Sequence, residues 1–463
     1  MSKFFLFAIV FILLFSVAAN AVVIDSPSAI LIEQSTGRVL FSRNERERRF
    51  PANLSKMLTA LVVVEHLELD GVVTVGQEIR GMPSGFATNV HFEGETITVR
   101  TLLYSLLVRS SNESGRVLAL NVARQMQGRR NIPYDEAEHA FSVLMNEKAN
   151  SLGVRGSHFV NPFGWQSENN FTTAYDLALI TRAFMENEIL AEIAGTLTFE
   201  TSSLGEIYHA EPNEREYSWT NTNQLLPGAV HGYPYMTGAK AGFTNSAGHV
   251  LAGAATNGEL TLVTVVLGGT DAARWQDTRR LMDYGFFNFA FREIAIANEL
   301  VETVQIENPR LGDDETLGII LSEGHTALLS HTEFTSLTRS ITFDPLLYVE
   351  NENGDSILRA PIADGEAVGS VSYISNGTVV FETSLLAVRA VEERTFDSDM
   401  DYYIAAFFSN IFSRRAIPYY FGIFGTAFGV FGIVMAIKEN RRVGRAIGWT
   451  YEKHRKSRYS RYK

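Results

Sequence analysis

Pro51-Ala52-Asn53-Leu54-Ser55-Lys56-Met57-Leu58-Thr59-Ala60 is the stretch around which the rest of the chain can be ordered. Proline lacks the N–H that a first helical turn leaves unpaired, so Pro51 can begin a helix. Leu54, Met57, Leu58, Leu61 and Val62 then recur at helical spacing and form its apolar face. On such a helix Asn53 and Lys56 stand at i and i+3, one turn apart on the same side. Ser55 is two residues from Asn53, a rotation of about 200°, and faces away.

Upstream, Ala29-Ile30-Leu31-Ile32, Gln34-Ser35-Thr36-Gly37 and Arg38-Val39-Leu40-Phe41 read as strand, turn and strand. Downstream, Leu102–Leu107 and Val117–Met126 read as helices interrupted by Arg109-Ser110-Ser111-Asn112, a polar break inside apolar surroundings. Phe141–Leu152 and Thr173–Met185 follow as amphipathic helices, Val250–Ala255 and Leu260–Gly268 as strands paired around Asn257-Gly258, and Ala272–Phe291 as a closing helix. Strands at both ends with helices between them predict a mixed α/β domain rather than a βαβ series. After about Leu300 the chain turns to short β-rich runs separated by Asn351-Glu352-Asn353-Gly354-Asp355, Ala363-Asp364-Gly365 and Ser375-Asn376-Gly377, the spacing of a small β-sandwich. That second domain carries no cluster of catalytic residue types and reads as a spacer or interaction module.

The two ends are hydrophobic. Lys3 precedes an apolar run from Phe4 to Ala19, and Ala19-Asn20-Ala21 offers small residues where a signal peptidase cuts. An uncleaved anchor is the alternative, but the run is shorter than the roughly 20 residues that span a bilayer. Ile417–Ile437 is an uncharged run of 21 residues flanked by Arg414 and Arg415 before it and Lys438, Arg441 and Arg442 after it. It reads as a membrane span with its basic tail in the cytoplasm. Tyr403, Ile404, Phe407, Phe408, Ile411 and Phe412 recur at helical spacing just before it, as either an interfacial helix or a linker into the span. The expected organisation is a signal peptide over 1–21, an α/β domain over 22–297, a β-sandwich over 298–393, a juxtamembrane segment over 394–416, a transmembrane helix over 417–437 and a cytoplasmic tail over 438–463. The expected location is the cell membrane, with the domains outside the cytoplasm.

Composition narrows the chemistry. Of 463 residues 46% are hydrophobic and 20% charged, the balance of a folded protein. A net charge of -12 argues against nucleic acid as partner, because phosphate binding needs clustered Lys and Arg on the folded domains. With no cysteine there is no disulfide, zinc–thiolate site or thiol nucleophile.

Three motifs occur in chain order: Asn53-Leu54-Ser55-Lys56, Ser110-Ser111-Asn112 and Lys240-Ala241-Gly242. They resemble the S-x-x-K, S-x-N and K-T-G motifs of penicillin-recognising serine enzymes. Residues 51–60 resemble the helix start P-A-S-L-T-K-L-M-T-A of the serine-type D-alanyl-D-alanine carboxypeptidases, the low-molecular-mass penicillin-binding proteins. Asn161-Pro162-Phe163-Gly164, Thr172–Ala178, Asn221-Thr222-Asn223 and Gly242–Gly248 extend the resemblance, and Ala360-Pro361-Ile362 with Val368-Gly369 carries it into the second domain.

The resemblance implies a penicillin-binding-protein/β-lactamase-like transpeptidase fold with an antiparallel sheet and helices, peptidoglycan stem peptides ending in D-Ala-D-Ala as ligand, and no cofactor or metal. It places Asn53 at the nucleophilic serine, Lys56 as general base, Ser110 as proton relay and Asn112 as a clamp on the substrate amide. Lys240 would attract the terminal carboxylate, Gly242 would let backbone approach the ligand, and the N–H groups of Asn53 and Phe243 would form an oxyanion hole. The alternatives are a solvated lysine for Lys56, a strand-end surface charge for Lys240 and a polar turn for Ser110–Asn112; the surrounding phrases favour the site.

Two positions depart from the family. An amide nitrogen at Asn53 has a delocalised lone pair and cannot form the ester intermediate, and Ala241 lacks the hydroxyl that the family threonine gives to the carboxylate. Three readings follow. One is a non-hydrolytic homologue that binds stem peptides or scaffolds a cell-wall enzyme; another is a carboxypeptidase with a different nucleophile; the last is a structural membrane protein without ligand.

Overall fold

The computed structural model describes residues 22–82, 88, 90–202, 216–350, 356–411 and 429–442. Two compact units divide the chain: the boundary falls between Arg292 and Glu293, and Leu328–Thr335 belongs to the first unit.

The first unit is built on an antiparallel sheet of β1 (Ser28–Glu33), β2 (Val39–Arg43), β3 (Met236–Thr244), β4 (Gly248–Thr256) and β5 (Thr261–Gly269), in the order β2-β1-β5-β4-β3. Ala29 stands opposite Val266 and Ile30 opposite Val265, so strands far apart in sequence meet in its middle. Every residue of β1 is buried because both faces are covered. Ile30 and Ile32 belong to one core, with α1 (Ser55–His66), α2 (Asn112–Gln127), α3 (Tyr134–Ser151) and α4 (Ala174–Glu186). Ala29 and Leu31 belong to the other, with Trp275, Leu281 and Met282 of α5 (Asp271–Asn288).

The sequence pattern gave α1 one apolar face, but Ser55 through Val63 are all buried. Burying each large apolar side chain contributes roughly 1.5–3 kcal/mol, and no side chain caps the helix start. Packing therefore fixes α1, and Lys56 is drawn into the interior with it. The polar break also has a physical basis. A helix over Val99–Tyr104 runs into a π-helical turn over Ser105–Arg109, and Ser110 then adopts a left-handed conformation (φ 68°, ψ 35°) before Ser111 caps α2. A second hairpin, Thr198–Ser202 with Glu216–Thr220, was not expected from the sequence.

In the second unit β6 (Leu300–Glu307), β7 (Thr316–Leu321), β8 (Thr338–Phe343), β9 (Tyr348–Glu350), β10 (Ser356–Arg359), β11 (Ala367–Ser375) and β12 (Thr378–Ala387) form one hydrogen-bonded sheet in the order β8-β11-β12-β7-β6-β10-β9. The β-rich second domain expected from the sequence is thus present, its strands hydrogen-bonded in one continuous order. Its continuity comes from the C-terminal end of β12, where Leu385 and Leu386 pair with β7 as well as with β11. Phe396–Ile411 is a helix with Phe396, Tyr403 and Phe407 exposed. The expected signal peptide lies outside the described residues, as do 417–428 of the expected span and 443–463 of the tail; 429–442 is helical. Among the described residues no helix is long and apolar enough to cross a membrane.

Candidate functional site

The start of α1 is held in place by glycines. Asn53 lies in a 3-10 turn over Ala52–Leu54, with Ala52 itself at positive φ (48°). A Cβ on Gly164 (φ 84°) would fall 1.8 Å from the Ala52 carbonyl oxygen, so only glycine permits this approach. Asn161 shapes the loop by accepting from the N–H groups of Gly164 (2.8 Å) and Trp165 (2.9 Å). Thr59 of α1 donates to Pro162 O at 2.6 Å and ties loop to helix. From the other side, a Cβ on Gly242 would lie 3.0 Å from both N and Cβ of Asn53. Strand β3 therefore passes directly against the turn, bringing the backbone at Asn53 and Gly242 together. The Asn53 side chain is half-buried and makes no hydrogen bond among the described residues.

Lys56 is fully buried and donates to Ser110 O (2.6 Å) and Ser110 Oγ (3.1 Å). The left-handed backbone of Ser110 turns both oxygens toward the amine. Burial holds the Lys56 ammonium well below the usual lysine range; the nearby charge of Lys240 lowers it further, and that of Glu113 partly opposes both. A neutral amine beside a hydroxyl can accept its proton. Asn112 is buried at the first position of α2. Ser55 is fully buried with no partner for its Oγ among the described residues, so it offers no accessible nucleophile.

Lys240, also buried, donates to Thr222 Oγ1 (2.7 Å) and more weakly to Ala241 O (3.3 Å). Burial, and secondarily the charge of Arg274, lowers it to about 7. Asn221 fixes the Thr222 segment through donation to Thr196 O (2.9 Å) and acceptance from Asn223 N (2.9 Å). Thr222 N donates to Val108 O, which joins this segment to the π turn. Phe243 is exposed and lies tilted against His249, with ring centroids 4.3 Å apart and ring planes at 32°. Ala241 stands apart from the other motif residues: it is buried in the second core with Leu251 and Trp275.

Asn53, Lys56, Ser110 and Lys240, with Gly242, are thus gathered at one place. Sequence reasoning missed Glu113 and Arg274. Glu113 follows the second motif directly, is buried, and accepts from Ser111 Oγ (3.0 Å) and Thr88 N (2.7 Å). Arg274 donates to Gly242 O (3.0 Å) from α5, and no signal in the sequence links it to β3. Among the described residues no group of His, Asp or Glu is arranged to hold a metal ion.

Residues 15–271 match the family described as D-alanyl-D-alanine carboxypeptidase, and residues 289–393 match the C-terminal domain of penicillin-binding protein 5. The chain belongs to the D-alanyl-D-alanine carboxypeptidase family, whose members act on peptidoglycan stem peptides ending in D-Ala-D-Ala. It is 25% identical over 377 residues to the D-alanyl-D-alanine carboxypeptidase DacF of Bacillus subtilis, covering 80% of this chain and 87% of the relative. It is 26% identical over 386 residues to DacC of Escherichia coli, covering 81% and 86%. The crystal structure of DacD from Francisella tularensis shares the fold, with a TM-score of 0.59 at 21% identity over 82% of this chain and 99% of that one.

Proposed function

We propose that this member of the family binds D-Ala-D-Ala-ended stem peptides at the cell wall without forming the family's acyl intermediate, from the outer face of a membrane in which residues 417–437 anchor it. The observation that carries the reading is Asn53, an amide in the nucleophile's place within an otherwise assembled pocket. Lys56 still meets Ser110 and Lys240 is still held on Thr222, where it would attract a peptide carboxylate, while no hydroxyl stands at the position from which attack would come.

A fluorescent penicillin tests the chemistry and a D-Ala-D-Ala peptide titration tests the binding. No covalent label together with measurable peptide affinity is the expected result; neither label nor affinity would leave a structural membrane protein. One observation favours a second reading, a carboxypeptidase with another nucleophile: Ser110 Oγ lies 3.1 Å from the Lys56 amine. A stoichiometric adduct mapped to Ser110 would establish it. For the location, truncation after Glu393 should release the protein into solution, whereas the full chain should stay in the membrane fraction.

A further inference from the structure

Behind Ser110-Ser111-Asn112 lies a buried polar set that the pocket chemistry does not use. His91 Nδ1 is 3.0 Å from Glu95 Oε2, and His91 Nε2 is 2.8 Å from Ser105 Oγ and 3.0 Å from Ser114 Oγ. Tyr217 donates its hydroxyl to Glu95 Oε1, and Ser114 Oγ donates to Ser105 Oγ at 2.8 Å. Since the Glu95 carboxylate accepts from both neighbours, the ring proton belongs on Nδ1, and Nε2 accepts from the Ser105 hydroxyl. Ser105, His91 and Glu95 have the spacing of a hydrolytic triad. The side chains of His91 and Glu95 are 0% exposed and Ser105 is equally buried, so no substrate atom reaches them. What the set acts on is the protein itself.

Two of its members hold the second motif. Ser111 N donates to Ser105 O (3.0 Å), and Ser114 N donates to Ser111 Oγ (3.1 Å). Ser105 opens the π turn and Ser114 lies in the first turn of α2, so they bracket the left-handed Ser110 whose oxygens meet Lys56. A buried donor or acceptor left without a partner is costly, so a ring anchored by Glu95 and Tyr217 selects one arrangement of the two serines.

We infer that His91 is a positioning residue for this site: it locks Ser105 and Ser114, and through them sets Ser110 against Lys56 and fixes the start of α2 at Asn112. The inference rests on the pocket being the family's substrate site. The test uses the full-length chain carrying Asn53→Ser, with penicillin acylation followed by mass spectrometry and exchange of the Ser111 and Ser114 amides followed alongside. Misplacement of a site by about 1 Å can cost on the order of 100-fold in rate, so His91→Leu should slow acylation by about that factor. His91→Gln, which can still accept from Ser105, should recover most of it. Exchange at Ser111 and Ser114 should quicken in the Leu variant and stay slow in the Gln variant.

An unchanged acylation rate in His91→Leu would overturn the inference, and so would Gln behaving like Leu at equal thermal stability. Should His91→Leu fail to fold, Tyr217→Phe, which deletes only the hydroxyl on Glu95, should slow acylation by a smaller factor, and no slowing would overturn the inference. If Asn53→Ser is not acylated at all, the substrate-site reading fails instead, and the exchange pattern alone decides on His91: loss of protection in Leu and its retention in Gln supports it, and any other pattern overturns it.

Discussion

The two buried lysines of the pocket occupy different environments. Lys56 sits between two oxygens of Ser110, with the Glu113 carboxylate partly opposing the burial and the Lys240 charge that depress it. Lys240 rests on a neutral hydroxyl and a carbonyl, with the positive Arg274 nearby. The first environment suits an amine that passes a proton to and from a hydroxyl; the second suits a cation waiting for an external anion. On the proposed reading, Asn53 in place of serine takes away the hydroxyl that the first would serve and leaves the second untouched. The proposal therefore assigns reaction and recognition to different lysines.

The sharpest way to break this comparison is to restore the missing partner. The unmodified chain should show no mass increase with penicillin, and Asn53→Ser should raise the acylation rate by on the order of 10⁴-fold or more. Intact-protein mass spectrometry reads both, and a stoichiometric adduct on the unmodified chain would mean that the Lys56 side is not silent. Next in size, Lys240→Ala should weaken binding of a D-Ala-D-Ala peptide. A hydrogen bond to a charged group is worth about 1.5–3 kcal/mol, or roughly 10- to 150-fold in affinity. Unchanged affinity by calorimetric titration would remove Lys240 from the binding role.

A pH series sharpens the same point. Lys240 is charged below about 7 and neutral above it, and a carboxylate ligand favours the charged form. Affinity should be level below pH 7 and fall up to about tenfold per unit above it; an affinity rising with pH would contradict the assignment. The smallest effect is expected from Lys56→Gln, which should change peptide affinity by less than about threefold while abolishing acylation of the Asn53→Ser variant, since proton transfer by a positioned base contributes about 10²- to 10⁴-fold. A large loss of affinity there would show that the two lysines do not divide the work.

Much of the site was legible because its residues sit in short contiguous phrases. Pro51 and the leucines after it place Asn53 and Lys56 on one helix start, and the polar run at 110–112 stands out against apolar neighbours. What could not be read depends on chain segments meeting across the sheet. Arg274 reaches Gly242 from a helix whose sequence carries no mark of that contact. Strand pairing puts Ala241 into the second core, which no spacing discloses. The Thr198–Ser202 and Glu216–Thr220 hairpin joins strands separated by a long connection, without the adjacent turn signal that revealed Ser28–Arg43. The single ladder of the second unit depends on Leu385 and Leu386 serving two neighbours at once, a matter of register rather than composition.

The contact between Gly164 and Ala52 also sets which positions the fold can vary. The turn that presents residue 53 is shaped by Gly164, Asn161 and Gly242, and not by the side chain at 53. Exchanging that side chain leaves the socket standing, whereas any side chain at Gly164 would strike the Ala52 carbonyl. Position 53 is thus a place where the fold tolerates a change confined to one side chain, and position 164 is not.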